Sequence, residues 1–134
     1  MASLLLVVPD MTTARQDVGK TGEDLAATEL TALGYAIVAR GYRTRFGEID
    51  IIAREAGSVV FVEVRRKSGI GYGAAAESVT PEKQRRVVRM AVDYLARNDL
   101  YDKCAVRFDV VAIDDQPTGP PKVTVIRAAF DASR

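Results

Sequence analysis

Three carboxylate residues, Glu23, Asp50 and Glu63, are the candidates for chemistry in this sequence. The chain has no histidine and one cysteine, which excludes Ser/His/Asp and Cys/His triads, histidine-ligated zinc, disulfide frameworks and iron–sulfur clusters. Chemistry must therefore rest on carboxylates, lysine, arginine, hydroxyl groups and the backbone. Because carboxylate oxygens are hard ligands, the composition favours Mg²⁺ or Mn²⁺ over zinc.

Two of these acids lie in a predicted β-hairpin. Residues 46–54 and 58–66 are rich in β-branched and aromatic side chains, and a short stretch ending in Ala56-Gly57 separates them. A two-residue turn, or a four-residue loop of the same register, places Arg54 opposite Val59. A three-residue loop shifts the register by one residue, so the pairing depends on the turn.

The first register places Asp50 directly opposite Glu63 and Glu48 opposite Arg65, with facing Cβ atoms about 5 Å apart. Like charges at this distance repel, unless the pKa of one acid rises or a divalent cation lies between them. Alternation along the strands predicts one polar face and one apolar face. The polar face carries Glu48, Asp50, Ile52, Phe61, Glu63 and Arg65, and the apolar face carries Ile49, Ile51, Ala53, Val60, Val62 and Val64.

Glu23 lies in a helix predicted within residues 19–34 and ended by Gly34. Its inward face carries Glu23 together with Ala26, Ala27, Leu30 and Leu33. Three carboxylates, completed by water and a phosphate oxygen, suit Mg²⁺, which would polarise a phosphodiester and activate a bound water. Arg65 would supply positive charge to the transition state. The alternative is a solvated sheet face with a Glu48–Arg65 ion pair.

The net charge of +1 hides a segregated charge distribution. Residues 36–67 hold seven basic and four acidic residues, and residues 81–97 hold five basic and two acidic ones. Such blocks are compatible with a phosphate-binding face, or simply with solvated charges at helix and strand ends. The residues expected to contact nucleic acid are Arg43, Arg45, Arg66, Lys67, Lys83, Arg85, Arg86 and Arg89.

The remaining segments predict one mixed α/β domain. Residues 35–40 form a strand, residues 41–47 a basic connection and residues 68–77 a Gly/Ala-rich loop. Thr80-Pro81 opens a helix through about Arg97, with an inner stripe of Gln84, Val87, Val88, Ala91 and Leu95. The near-continuous apolar run 106–114 predicts a central strand covered on both sides, and residues 122–127 a last strand. The predicted order is α-β-β-β-α-β-β around a central mixed β-sheet flanked by helices.

The N-terminal residues 1–14 lie outside this pattern and are expected to form a flexible extension to a single domain over 15–134. The apolar run Leu4–Val8 is too short for a signal peptide or a membrane span. We therefore expect a cytoplasmic protein without a membrane partner.

The motifs GKTGEDLA, FGEIDIIA, FVEVRRK, TPEKQRR and RFDVVAID resemble the bacterial YraN-like family, over roughly residues 15–130. That resemblance implies a restriction-endonuclease-like fold, similar to that of archaeal Holliday junction resolvases. It implies that Glu23, Asp50 and Glu63 bind the metal, and it places Arg65 where the superfamily has its catalytic lysine. Gln84 falls near a helical polar position that assists some members. The implied catalytic set is Asp50, Glu63, Arg65 and Gln84.

The function implied by this resemblance is metal-dependent cleavage of branched or structured DNA with Mg²⁺ or Mn²⁺. Junction resolvases act as dimers, so a homodimer is expected by analogy. The alternative is a non-catalytic nucleic-acid-binding module with a degenerate site, because arginine at position 65 stays charged and cannot act as a base. A remoter alternative is an adaptor that binds another protein through an exposed strand edge.

Overall fold

Seven elements form the part of the chain that a computed structural model describes, residues 21–68 and 79–132. In chain order they are α1 (Thr21–Ala32), β1 (Ala36–Thr44), β2 (Gly47–Glu55), β3 (Ser58–Ser68), α2 (Pro81–Arg97), β4 (Ala105–Asp115) and β5 (Lys122–Phe130). This order confirms the predicted mixed α/β class and agrees with a restriction-endonuclease-like fold. The expected extension over 1–14 and residues 69–77 of the expected loop lie outside the described residues.

The five strands form one sheet in the order β1-β2-β3-β4-β5. All neighbours are antiparallel except β3 and β4, which run parallel and are joined through α2. The two helices pack on opposite faces: Leu30 of α1 lies in a core cluster with Val62 and Val111, and Met90 of α2 lies in a second cluster with Phe61. Residues 108–114 of β4 are buried, which confirms the predicted central strand.

Helix α1 ends as its sequence predicts. Gly34 has φ +98°, and the N–H groups of Gly34 and Tyr35 donate to the carbonyls of Thr31 and Leu30 at 3.0 and 2.9 Å. This is the Schellman arrangement, in which glycine adopts the left-handed conformation without strain. Leu33, expected on the inner face, follows the helix and is exposed, because the chain has already turned towards β1.

Helix α2 also begins as predicted, with Pro81 in its first turn and the Thr80 hydroxyl accepting a hydrogen bond from the Lys83 N–H at 3.2 Å. Its buried stripe is wider than predicted, because Met90 and Tyr94 join it while Val88 is only half-buried. No helix within residues 21–68 and 79–132 is long and apolar enough to cross a membrane.

Strand β1 is longer than predicted, since it continues to Thr44, and Arg45-Phe46 forms a tight turn to β2. Gly41 lies within this strand at φ +60°, a conformation that distorts regular alternation. At this position β1 and β2 both depart from regular alternation, so that residues two apart along a strand point to opposite faces of the sheet. The prediction for Ile49 was wrong: it packs in the α2-side cluster with Ile52 and Phe61, not on the face of Ile51.

A buried polar network fastens the end of α1 to the sheet. Asp109 of β4 is fully buried and accepts a hydrogen bond from the Tyr35 hydroxyl at 2.6 Å. Arg107 donates to both carboxylate oxygens of Asp109 at 2.9 Å, and the Ala128 N–H donates to Oδ1 at 2.9 Å. Because Tyr35 directly follows α1, this network fixes how the helix that carries Glu23 crosses the sheet.

Replacing Asp109→Ala should lower the free energy of unfolding by about 3–5 kcal/mol, since the buried donors would lose their acceptor. Urea denaturation followed by circular dichroism measures this loss. Lys103→Ala is the control, because it removes an exposed ion pair, the one with Asp99, and the Lys103 side chain is 59% exposed. Equal denaturation midpoints for the two variants would contradict the anchoring role.

Candidate metal centre

Strand β2 separates from β3 at Asp50. The predicted register is confirmed from Arg54 opposite Val59 to Ile51 opposite Val62, and there the pairing ends. Beyond that point the Val64 N–H donates to Oδ2 of Asp50 at 2.8 Å. The prediction that Asp50 pairs directly with Glu63 was therefore wrong, because the Asp50 carboxylate takes the place of a backbone acceptor in the gap between the strands.

Asp50 meets two further acids on the side of α1. One carboxylate oxygen from each of Glu23, Glu48 and Asp50 lies within 4.8 Å of the other two. Glu23 comes from the first turn of α1, and this helix approaches the sheet closely because buried Ala26 follows one turn later. Helix α1 thus brings Glu23 to Asp50, as the sequence predicts.

Glu48 was not among the predicted ligands, although its position two residues before Asp50 on the same strand could have indicated it. It lies opposite Arg43 of β1, and its carboxylate is 3.9 Å from the Arg43 Nε. A Cβ atom at Gly41 would lie 3.2 Å from Oε2 of Glu48. The small residue at position 41 therefore leaves room for this carboxylate.

Arg40 of β1 is a further contact that the sequence did not indicate. Its Nε donates to Oε1 of Glu23 at 3.0 Å, and its Nη2 donates to Oδ1 of Asp24 at 2.5 Å. Asp24 is thus one arm of this bridge. The contact holds one oxygen of Glu23 at a fixed place beside the cluster.

Glu63, the other predicted ligand, lies on the side of α2. It is 1% exposed, and Oε1 is 3.5 Å from Nζ of Lys83. Its second oxygen, Oε2, is buried without a hydrogen-bond partner. We call Glu23, Glu48, Asp50 and Glu63 the acidic centre.

The electrostatics reflect this crowding of acids. Burial, followed by the charge of Asp50, raises the pKa of Glu63 to about 7, although Lys83 and Arg65 oppose the rise. Burial also raises the pKa of Asp50, against the hydrogen bond from Val64 and the charge of Lys83. Such a pair retains a proton near neutral pH unless a cation neutralises it.

Two other residues belong to the implied catalytic set. Arg65 is half-buried on β3, close enough to Glu63 to favour its ionised form. The Gln84 amide donates from Nε2 to the Val79 carbonyl at 3.0 Å, and Oε1 is buried without a hydrogen-bond partner. The amide nitrogen of Gln84 thus satisfies a backbone carbonyl just before the start of α2.

Exposed arginines lie at the β1–β2 turn, which leads into Glu48. The guanidinium carbons of Arg45 and Arg89 lie 5.0 and 5.2 Å from the centre of the Phe46 ring. Arg86 passes close to Gly47, the residue before Glu48: a Cβ atom added to Gly47 would lie 3.7 Å from Cδ of Arg86. We call Arg45, Arg86 and Arg89 the hairpin arginine cluster.

The remaining residues expected to contact nucleic acid lie on β1, β3 and α2. Lys67 and Arg85 are exposed, and Arg43 is 87% exposed at its side chain. Arg66 donates to both carboxylate oxygens of Asp115 at 2.9 and 2.6 Å, and its side chain lies against Gly22, next to Glu23. Lys83 differs from the others because it points to Glu63.

Comparison with known proteins places this fold and site in a family. The sequence profile of the uncharacterised protein family UPF0102 matches residues 22–113. A UPF0102 protein of Symbiobacterium thermophilum is 48% identical over 115 residues, which are 86% of this chain and 97% of the relative. A UPF0102 protein of Rhodococcus jostii is 48% identical over 113 residues, and one of Legionella pneumophila is 39% identical over 117. These cover 84% and 87% of this chain and 95% and 97% of the relatives.

The chain belongs to family UPF0102. This confirms the YraN-like resemblance of its motifs. The region that matches UPF0102 runs from the start of α1 to β4, and therefore contains the whole acidic centre, both helices and the hairpin arginine cluster.

The residues of this UPF0102 protein fit a hard divalent cation. Three carboxylates offer oxygens that lie within 4.8 Å of one another, and the buried Oε2 of Glu63 has no hydrogen-bond partner. Mg²⁺ and Mn²⁺ prefer oxygen ligands of this kind. A cation would also relieve the repulsion that raises the pKa of Glu63.

Stability without metal should fall as pH rises, because Glu63 is protonated in the folded protein up to a pKa of about 7 against an ordinary value of 4.5. The stabilisation is complete below the ordinary value and is lost as pH rises through the folded value. A rise of one in this pKa is equivalent to about 1.4 kcal/mol of stability. Urea denaturation in EDTA, between about pH 5 and pH 8, should show this decline for wild type and a flatter profile for Glu63→Gln.

Glu82→Gln, an exposed glutamate in the first turn of α2, is the control for this pH dependence. Its free energy of unfolding should change with pH as that of wild type does. If Glu63→Gln and Glu82→Gln have the same slope, Glu63 does not titrate as its surroundings suggest.

Proposed function

We propose that this UPF0102 protein is a metal-dependent nuclease that hydrolyses phosphodiester bonds in branched or otherwise structured DNA, with Mg²⁺ or Mn²⁺ as cofactor. The observation that carries the proposal is the convergence of Glu23, Glu48 and Asp50 beside buried Glu63. An acidic group of this kind next to exposed arginines combines metal ligands with contacts for a phosphate backbone.

The residues have separate roles in this proposal. Glu23, Glu48 and Asp50 hold the metal, and Glu63 adds an oxygen from the side of α2. When bound, the metal polarises the phosphodiester and lowers the pKa of a bound water. Arg65 stabilises the negative charge that develops as water adds to phosphorus and one P–O ester bond breaks. The water proton leaves to solvent, and the leaving oxygen takes one up.

The proposed partner is DNA, bound by the exposed basic residues around the centre. Arginine suits this task because its planar group pairs with phosphate oxygens through two hydrogen bonds. The preference for branched DNA and the homodimer both follow from the similarity to junction resolvases. Light scattering on the free protein and on its DNA complex tests the dimer.

The nuclease proposal predicts Mn²⁺-dependent cleavage of at least one substrate among junction, flap, single-stranded and duplex DNA. Asp50→Ala should reduce cleavage by about 100-fold or more, because Asp50 is the acid common to both sides of the centre. Denaturing gels measure cleavage, and isothermal titration calorimetry measures Mn²⁺ binding, which Asp50→Ala should abolish.

Asp99→Ala is the matched control, since Asp99 is an exposed aspartate paired with Lys103 outside the centre. It should leave both cleavage and Mn²⁺ binding unchanged. Absence of cleavage by wild type, or equal cleavage by Asp50→Ala, overturns the enzymatic proposal.

A second candidate function is a non-catalytic nucleic-acid-binding module. The observation that favours it is Arg65, because a guanidinium group cannot release a proton at the strand position where related nucleases carry lysine. In that case wild type binds DNA without cutting it, and Arg65→Lys creates cleavage that wild type lacks.

Both functions predict DNA binding that weakens with salt. Replacing exposed Arg43→Ala should reduce the slope of log affinity against log salt by about one, because one phosphate contact is lost. Fluorescence anisotropy over a salt series measures the slope. Arg97→Ala is the control, since Arg97 pairs with Asp93 at the far end of α2, and its slope should equal that of wild type. Equal slopes for all three proteins would contradict a phosphate contact by Arg43.

A further inference from the structure

Lys83 is oriented differently from the other basic residues of α2. Its backbone N–H donates to the Thr80 hydroxyl at 3.2 Å, which fixes it in the first turn. Its side chain is 29% exposed and reaches Oε1 of Glu63 at 3.5 Å, whereas Arg85 and Arg86 on the same helix are exposed. The ammonium group therefore lies at the edge of the acidic centre, with part of its surface open to solvent.

A purely structural role for Lys83 does not explain its ion pair with Glu63. The ammonium contacts one oxygen of Glu63 and leaves Oε2, which is buried, without a hydrogen-bond partner. Buried ion pairs stabilise a fold only when the remaining polar atoms are satisfied, and this one is incomplete. Lysine has three donors, so the ammonium can bind a further oxygen while it stays near Glu63.

The charge of Lys83 also acts on Asp50, since it favours the ionised form of both Asp50 and Glu63. Its ammonium is therefore close to the two acids that meet from opposite sides of the sheet. A phosphodiester bound to a metal at these acids would therefore lie near the partly exposed ammonium of Lys83. A compact ammonium suits this place, because it binds a single oxygen as a point charge and needs no planar fit.

We propose that Lys83, reaching the acidic centre from helix α2, contacts a non-bridging oxygen of the scissile phosphate. This inference rests on the proposed function. Lys83 then acts at the site of the reaction, and not only as one of the DNA-contacting residues. Lys83 stays an ammonium ion throughout and transfers no proton.

The test compares Lys83→Met with Arg85→Met in the full chain, because both variants lose one cation from the same turns of α2. Affinity for junction DNA is measured in EDTA and again in Ca²⁺, a cation with the same preference for oxygen ligands. In EDTA the two variants should bind DNA equally. The gain in affinity on adding Ca²⁺ should be at least about tenfold smaller for Lys83→Met, because the phosphate at the centre loses its ammonium contact.

Cleavage with Mn²⁺ is the second readout. Lys83→Met should cut about 100-fold more slowly than Arg85→Met, while its Mn²⁺ affinity is equal to or above that of wild type, because a cation next to Glu63 has been removed. Thermal unfolding is followed in parallel. If Lys83→Met does not fold, Lys83→Gln, which retains a donor to Glu63, replaces it.

The outcomes separate this inference from the proposed function. A wild type that does not cleave overturns hydrolysis, yet a Ca²⁺-dependent gain in DNA affinity that Lys83→Met loses still supports the phosphate contact. An equal gain in Lys83→Met and Arg85→Met, or no gain in wild type, overturns the role of Lys83. A loss of Mn²⁺ affinity in Lys83→Met also overturns it, because the residue would then be supporting the ligands.

Discussion

The hydrogen bond from the Val64 N–H to the Asp50 carboxylate is the interaction on which the acidic centre depends. If the β-ladder continued past Ile51 and Val62, the backbone N–H and C=O groups of both strands would bond to each other. Each side chain would then be confined to one of the two faces of the sheet. Because β2 separates from β3, Asp50 occupies the gap between them. One carboxylate therefore meets acids from both sides of the sheet, which a residue on a regular strand does not do.

Small residues make this arrangement sterically possible. Ala26 lets α1 lie close to the sheet, so that Glu23 reaches Asp50, and Gly41 leaves the space that Glu48 fills. A buried hydrogen bond between a tyrosine and an aspartate holds the other end of α1. The centre thus depends on the packing of a helix against a distorted pair of strands, and its acids cannot be moved independently of one another.

Local chemistry explains which features could be predicted from the sequence. The start of α2 and the end of α1 are each set within a few residues and were predicted correctly, and of the alternatives for the β2–β3 turn the structure has the two-residue one. The face of Ile49 was predicted wrongly, because the strand changes face next to Gly41 of the neighbouring strand.

In the site, helical spacing and strand pattern place Glu23 and Asp50 inward, and the structure brings them together. The approach of Lys83 to the centre was missed, since periodicity does not record contacts between distant elements.

The distribution of cations gives the centre a definite electrostatic character. The net charge of +1 suggests no partner, yet three acids of the centre have a cationic neighbour of their own, on β1 or on α2. Asp50, which accepts a backbone hydrogen bond instead, has the repulsion of its neighbours added to the cost of burial. A divalent cation placed at Asp50 would relieve the repulsion on both sides at once, and the side-chain cations beside the acids would then have donors left for phosphate. Under the proposed function, these cationic neighbours would hold the acids before metal binds and would face the DNA backbone afterwards.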